Sequence, residues 1–138
     1  FSYTFSRNRF IDFTDDGNTY DGNELPGIPE HYAQLQLNWN PAEKLELSTH
    51  FLYTGNQHIN DANTMAYEGY FLLNLKALAQ FNLKKTGKLR VFAGINNLTN
   101  THYASMLLVN APAFGNSEPR YYYPGLPRHF YAGVEVRF

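Results

Sequence analysis

The chain has 138 residues, of which 17% are aromatic and 17% charged, a net charge of −1 and no cysteine. Its aromatic content excludes intrinsic disorder, its balanced charge excludes a nucleic-acid binder of the basic-patch type, and the lack of thiols excludes disulfides, thiolate metal sites and cysteine nucleophiles. No apolar run is long enough for a transmembrane helix, and the length allows one domain or part of one. Mean hydropathy is nevertheless only −0.45. A transmembrane β-barrel combines these properties, because its strands alternate lipid-facing apolar residues with polar lumen residues and carry aromatic girdles. The soluble competitor is a β-sandwich or barrel with one polar face.

A period of two predicts strands, since successive side chains leave opposite faces of an extended chain. The first predicted strand covers 1–13, with Phe1, Tyr3, Phe5, Ile11 and Phe13 on one side and Arg7 and Arg9 interrupting. Those two arginines require either snorkelling near the outer interface or a bulge that shifts the face by one residue. In the second strand Ala33, Leu35, Leu37 and Trp39 alternate with Tyr32, Gln34, Gln36 and Asn38. In the third, Leu45, Leu47, Thr49, Phe51 and Tyr53 alternate with Glu46, Ser48, His50 and Thr54. The fourth covers 70–83, with Leu72 and Leu78 as exceptions on its polar side. In the fifth, Leu89, Val91, Ala93 and Ile95 oppose Arg90, Phe92, Gly94 and Asn96. In the sixth, Phe130, Ala132, Val134, Val136 and Phe138 oppose Tyr131, Gly133, Glu135 and Arg137. Strands of about 9–14 residues suit a bilayer span of about 9–11 better than the roughly 5–6 usual in soluble proteins.

The connections 40–44 and 84–88 are short, whereas 14–30, 56–69 and 98–128 are long, in strict alternation. Outer-membrane barrels show the same pattern of short periplasmic turns and long extracellular loops. The last strand then descends and leaves Phe138 at the inner interface. Six strands are fewer than the roughly eight of the smallest such barrels, so the chain is expected to be a fragment of a larger barrel or one chain of an assembled one. Its outer strands, 1–13 and 129–138, are open templates through which a fragment can self-associate.

Several stretches resemble the C-terminal β-barrel segment of TonB-dependent outer-membrane receptors: GNELPGIPEH (22–31), YTGNQ (53–57), GINNLTNTHYAS (94–105) and PRYYYPGLPRHFYAGVEVRF (119–138). The resemblance implies an all-β, antiparallel up-and-down transmembrane barrel of about 22 strands, of which this chain supplies about the last six over residues 1–138, with the plug domain and TonB box absent. It further implies a bacterial outer-membrane receptor for energy-dependent uptake of a scarce nutrient, with a ferric siderophore first on family frequency. Haem, vitamin and copper chelates are the alternatives within the family. A non-transporting soluble or oligomeric β-sheet binding module is the alternative from another class. The implied partners are outer-membrane lipid, the chelate, and the TonB complex through the missing N-terminal region, with no nucleic acid.

The candidate ligand-binding residues are Arg120, Tyr121, Tyr122, Tyr123 and Arg128, placed just before the last strand near the extracellular mouth. Arginine can pair bidentately with the carboxylates of an anionic chelate, and tyrosine can stack on planar ligands. The competing explanation is an aromatic girdle with lumen charges, and the resemblance favours a structural role for Pro119, Arg120 and Arg128. His31, His50, His58, His102 and His129 show no ligand spacing, so no metal site is expected. Asp15, Asp16 and Asp21 do not match the calcium loop of an EF-hand and read as a flexible acidic loop. No catalytic signature occurs, so no enzyme and no cofactor are expected.

Overall fold

The computed structural model of the protein describes residues 1–83, 87–113, 115–117 and 119–138. Among these are strands β1 (Ser2–Phe5), β2 (Thr14–Asp15), β3 (Asn18–Thr19), β4 (His31–Ala42), β5 (Leu45–Thr54) and β6 (Gln57–His58). They are followed by β7 (Ala66–Tyr67), β8 (Tyr70–Leu83), β9 (Gly87–Asn96), β10 (Ala104–Leu107), β11 (Tyr122–Pro124) and β12 (His129–Arg137). Six form one antiparallel sheet in the order β1-β4-β5-β8-β9-β12. The rest form three small hairpins, β2–β3, β6–β7 and β10–β11, one in each long connection. The up-and-down sheet read from the periodicity is therefore present. Of the short turn expected over 84–88, residues 84–86 lie outside the described residues, as do residues 114 and 118 of the last long loop.

The first strand departs from expectation. It ends at Phe5 rather than running to 13, and Ser6 N–H then donates to the carbonyl of Glu30 at 2.9 Å as the chain leaves the sheet. Arg7 and Arg9 are thus outside the sheet, so no bulge within β1 is needed to place them. Arg9 instead pairs with Glu24 at 3.6 Å. The alternation that misled the reading continues into a loop where Phe10 and Phe13 stack at 4.5 Å and Phe13 meets Tyr20 at 6.1 Å. The acidic stretch beyond is a formed hairpin. Asp16 and Gly17, at φ 46° and 76°, make the two-residue Asp-Gly turn whose twist matches paired strands.

Register carries the two-faced character across the sheet. Direct partners in an antiparallel pair project to the same side. One row runs Leu37–Thr49–Leu75–Ile95–Phe130 and the next Trp39–Leu47–Ala77–Ala93–Ala132. On the other side the rows read Gln36–His50–Asn74 and Asn38–Ser48–Lys76–Gly94–Tyr131. On the apolar side of β4, β5, β8, β9 and β12 there is no Asp, Glu, Lys or Arg. A Lys or Arg there would cost about 2–4 kcal/mol at the bilayer midplane. Aromatic residues gather at the ends of this side, with Tyr3, Phe5, Tyr53, Phe71 and Phe130 towards the long loops and Trp39 and Phe81 towards the short turns. Trp39 is 64% exposed and Phe130 72%, an arrangement that suits hydrocarbon and headgroup rather than water.

Because the sheet is one layer, almost nothing in it is buried. Of the described apolar residues only Ile59, Leu72 and Ala104 are buried, and two of these lie in the long connections. The polar side gains its packing from two reciprocal aromatic–glycine pairs. Tyr131 lies opposite Gly94, and Phe92 opposite Gly133. A Cβ at Gly94 would stand 2.3 Å from the Tyr131 ring, and one at Gly133 would stand 2.3 Å from the Phe92 ring. Each ring thus lies flat over the backbone across from it, the cross-strand device that makes up for a glycine's missing side chain. We expect Gly94→Leu to cost about 1–3 kcal/mol by overpacking, whereas Ala93→Leu, one residue along on the opposite side, is tolerated. The folded fraction across a urea series in detergent checks this, and equal losses for the two variants would contradict the assignment of faces.

Candidate functional site

All three long connections leave the same end of the sheet, and they hold one another. Between the first and second, Asn23 Nδ2 donates to the carbonyl of Asp61 at 2.8 Å and Gly27 N–H to that of His58 at 2.8 Å. Asn63 closes a reciprocal pair, its Oδ1 accepting from Glu24 N–H at 2.6 Å and its Nδ2 donating to the carbonyl of Glu24 at 2.9 Å. Asn110 repeats the device between the second and third. It accepts from Asp61 N–H at 3.1 Å and donates through Nδ2 to the Asp61 carboxylate at 2.7 Å. Its own N–H reaches the carbonyl of Ile59 at 3.0 Å, which places Ile59, 5% exposed, beneath the junction. Asn63 and Asn110 both hold positive φ, 54° and 51°, a conformation asparagine tolerates because its short side chain bonds locally.

The tyrosines pack against one another on these loops. Tyr67 lies 6.5 Å from Tyr70 and 6.0 Å from Tyr122, and Tyr70 lies 5.1 Å from Tyr103. Ala104 N–H donates to the Tyr67 hydroxyl at 2.6 Å. Burial raises the Tyr67 pKa above the ordinary tyrosine value, with smaller upward contributions from Tyr70 and Tyr122. The protonated phenol is therefore the form that the fold favours, and this contribution is lost only as pH rises through the raised value.

The structure divides the candidate residues. Arg120, Tyr122 and Tyr123 line one cleft of about 580 Å³ with Leu108, Pro112 and Pro124. The β10–β11 hairpin presents it: Met106 pairs with Tyr123 and Leu107 with Tyr122, across a register shift. Tyr121 supplies its carbonyl to Leu108 N–H at 2.7 Å. Arg120 is exposed. Arg128 is engaged elsewhere. Its N–H donates to Asn100 Oδ1 at 2.9 Å and its Nη1 to the carbonyl of Leu98 at 3.3 Å. That fastens the chain to the turn after β9, a structural task. A second cleft, of about 550 Å³, is lined by Tyr67, Glu68, Tyr70, Thr99, Thr101 and His102.

The histidines do not converge. His31 receives the Tyr3 hydroxyl at 2.8 Å, His50 bridges Gln34 and Asn74, His58 sits 3.6 Å from Glu24, and His129 meets Asn96 at 3.0 Å. Among the described residues no three His, Asp or Glu side chains come together as metal ligands.

Sequence reasoning placed the strand exit near Asn97 but missed how much rests on that residue. Asn97 is 3% exposed, at φ 51°. Its N–H donates to Asn74 Oδ1 at 2.8 Å, its Nδ2 to the carbonyls of Thr101 at 2.9 Å and Leu126 at 3.1 Å, and its Oδ1 accepts from Thr101 N–H at 2.9 Å. One residue thus ties β8 through its main-chain N–H, and the turn and the descending approach to β12 through its side chain. The asparagine runs at 96–97 and 100 were the available signal, since asparagine is the residue most at ease in left-handed turns. We expect Asn97→Ala to cost about 2–4 kcal/mol through buried groups left unpaired. Asn97→Asp is expected to fare no better, because it sets an acceptor against two carbonyls. Urea unfolding in detergent is the check, with Thr99→Ala as the neutral comparison.

Comparison with known proteins follows this geometry. A family model described as TonB dependent receptor-like, β-barrel matches residues 1–98. Comparison with the curated proteins gives no match. Among solved structures the chain resembles BauA, the ferric preacinetobactin receptor of Acinetobacter baumannii, at 24% identity and a TM-score of 0.73, covering 96% of this chain and 18% of that one. It resembles the closed form of Fiu, a ferric-catecholate import receptor of Escherichia coli K12, at 21% identity and a TM-score of 0.72, covering 99% and 18%. It also resembles PiuA, a siderophore receptor of A. baumannii, at 20% identity and a TM-score of 0.68, covering 88% and 16%. The chain spans less than a fifth of the length of these receptors, and at such identities the likeness speaks for the fold. With a match over 98 of 138 positions, the chain belongs to the TonB-dependent receptor β-barrel family.

Proposed function

We propose that this chain forms part of the wall and loop surface of a bacterial outer-membrane receptor that takes up a ferric siderophore. The observation that carries this reading is the cleft on the β10–β11 hairpin. There an exposed Arg120 stands beside Tyr122 and Tyr123 at the end of the sheet that bears all the long loops. Ferric siderophores are commonly anionic and planar in part, and a guanidinium with aromatic faces suits both properties. The solved structures above add support, since each is by its own description a receptor for a siderophore or a ferric chelate. The apolar side of the sheet faces lipid in this reading. A plug, a TonB box and the coupling to TonB belong to parts of the receptor outside these 138 residues.

The proposed contact set is confined to this cleft, whose lining does not include Tyr121 or Arg128; the Arg128 guanidinium instead reaches the carbonyl of Leu98. In the full-length receptor, Arg120→Ala is expected to weaken binding of its ferric siderophore by about tenfold or more, the usual worth of a hydrogen bond to a charged group. Arg120→Lys should restore part of that. Arg128→Ala should lower the folded fraction and leave the affinity of the folded receptor unchanged. Binding titrations on a panel of ferric siderophores read the first effect, with growth of an iron-limited strain on each of them as a second readout. Unchanged affinity on Arg120→Ala across the panel would remove this cleft from ligand recognition.

A further inference from the structure

The charges of this chain are sorted along the direction of its strands. The three long connections, taken as residues 6–30, 55–69 and 97–128, hold six, two and one Asp or Glu, nine of the chain's twelve. Only four of its eleven Lys and Arg lie there, namely Arg7, Arg9, Arg120 and Arg128. With histidine neutral, the loop end is therefore acidic by five charges. The sheet and its short turns, with the remaining seven cations and three carboxylates, are basic by four. Part of the positive charge at the loop end is already matched, since Arg9 pairs with Glu24 at 3.6 Å. Acidic charge also reaches the rim of the Arg120 cleft. Asn110 lies between Leu108 and Ala111, two residues that line the cleft, and its Nδ2 holds the Asp61 carboxylate at 2.7 Å.

We propose that these loops select among ferric siderophores by charge, admitting neutral or cationic chelates and disfavouring polyanionic ones. The inference rests on the ferric-siderophore reading above and names the class of chelate within it. Arg120 fits that class, because one guanidinium needs only locally negative oxygens, and the metal-bound oxygens of a chelate that is neutral overall supply them. A triply anionic chelate gains from the same single cation but meets Asp61 at the rim and the surplus carboxylates of the loops. Such charges sum into a field that raises or lowers the local concentration of an ion, and like charges brought together reject a wrong partner. Screening acts over about 8–10 Å at moderate salt, so the carboxylates beside the cleft count most, and Asp61 is one that Asn110 fixes there. Three hydroxamates neutralise the charge of a ferric ion. Three catecholates leave a surplus of three negative charges, so the trihydroxamate is the chelate that this surface suits.

The test titrates the full-length receptor in detergent with three ferric chelates: a neutral trihydroxamate, a trihydroxamate bearing a free amine, and a triscatecholate. Both trihydroxamates are expected to bind at least about tenfold more tightly than the triscatecholate at low salt. Raising the salt from about 50 to about 300 mM should narrow that gap, weakening the cationic chelate and strengthening the triply anionic one. Asp61→Asn keeps an acceptor for Asn110, and it is expected to raise triscatecholate affinity about threefold or more with little change for the neutral chelate. Asp12→Asn with Asp15→Asn, at exposed positions of the first loop and outside the Asn63 and Asn110 junctions, should act in the same direction with no cost in folding. A triscatecholate bound most tightly, or preferences indifferent to salt and to both variants, would overturn the inference and leave the receptor reading standing. Binding of none of the three would overturn the receptor reading, and the inference with it.

Discussion

A strand that crosses a bilayer has no water to turn to, so each of its backbone groups must pair with a neighbouring strand. Everything in this chain follows from that requirement. It fixes long, in-register antiparallel pairs, such as the ten between β5 and β8. Register then fixes the faces, since partners across a pair share a side and one slip would turn an apolar row to the wrong solvent. The rows from Leu37 to Phe130 and from Trp39 to Ala132 are continuous over five strands because every register agrees. The one irregularity in these pairs, the shift between Trp39 and Ala42, falls at Pro41 beside the turn. There a bulge costs least, and proline's missing donor matters least.

Stability in such a sheet has an unusual distribution. A soluble domain buries apolar side chains between layers, whereas here the hydrocarbon itself covers one side. What the protein packs for itself is small: two aromatic rings laid on glycines, the ion pairs around Glu135, and the junction of loops over Ile59. The loops consequently lean on hydrogen bonds from side chain to main chain. Asparagine supplies both a donor and an acceptor in one planar group, which is why Asn63, Asn97 and Asn110 recur at the junctions.

The sheet could be read from the sequence, because a period of two sustained over nine or more residues has few other causes. The reading failed where alternation continued without a partner strand. Tyr3 and Phe5 belong to β1, but Ile11 and Phe13 do not, since pairing with β4 stops at His31. Long-range pairing is invisible to a local pattern. Of the candidate site, proximity in sequence put Arg120 and Arg128 together, but the hairpin and the Asn97 turn separate their tasks. The small hairpins went unseen because their strands, of two to four residues, are too short to show a period, and the contacts between loops because they join residues such as Asn110 and Asp61 that lie 49 positions apart.

The asparagine junctions also bear on how such a surface can be altered. A loop held only at its own two ends can be exchanged for another of similar span. Here Asn23, Glu24 and Gly27 bond to the main chain or side chains of the second loop, and Asp61 and Ile59 of that second loop bond to Asn110 of the third. Replacing any one loop strands donors and acceptors in the other two. The natural unit for grafting a new recognition surface onto this sheet is therefore the trio, transplanted with its asparagines in place.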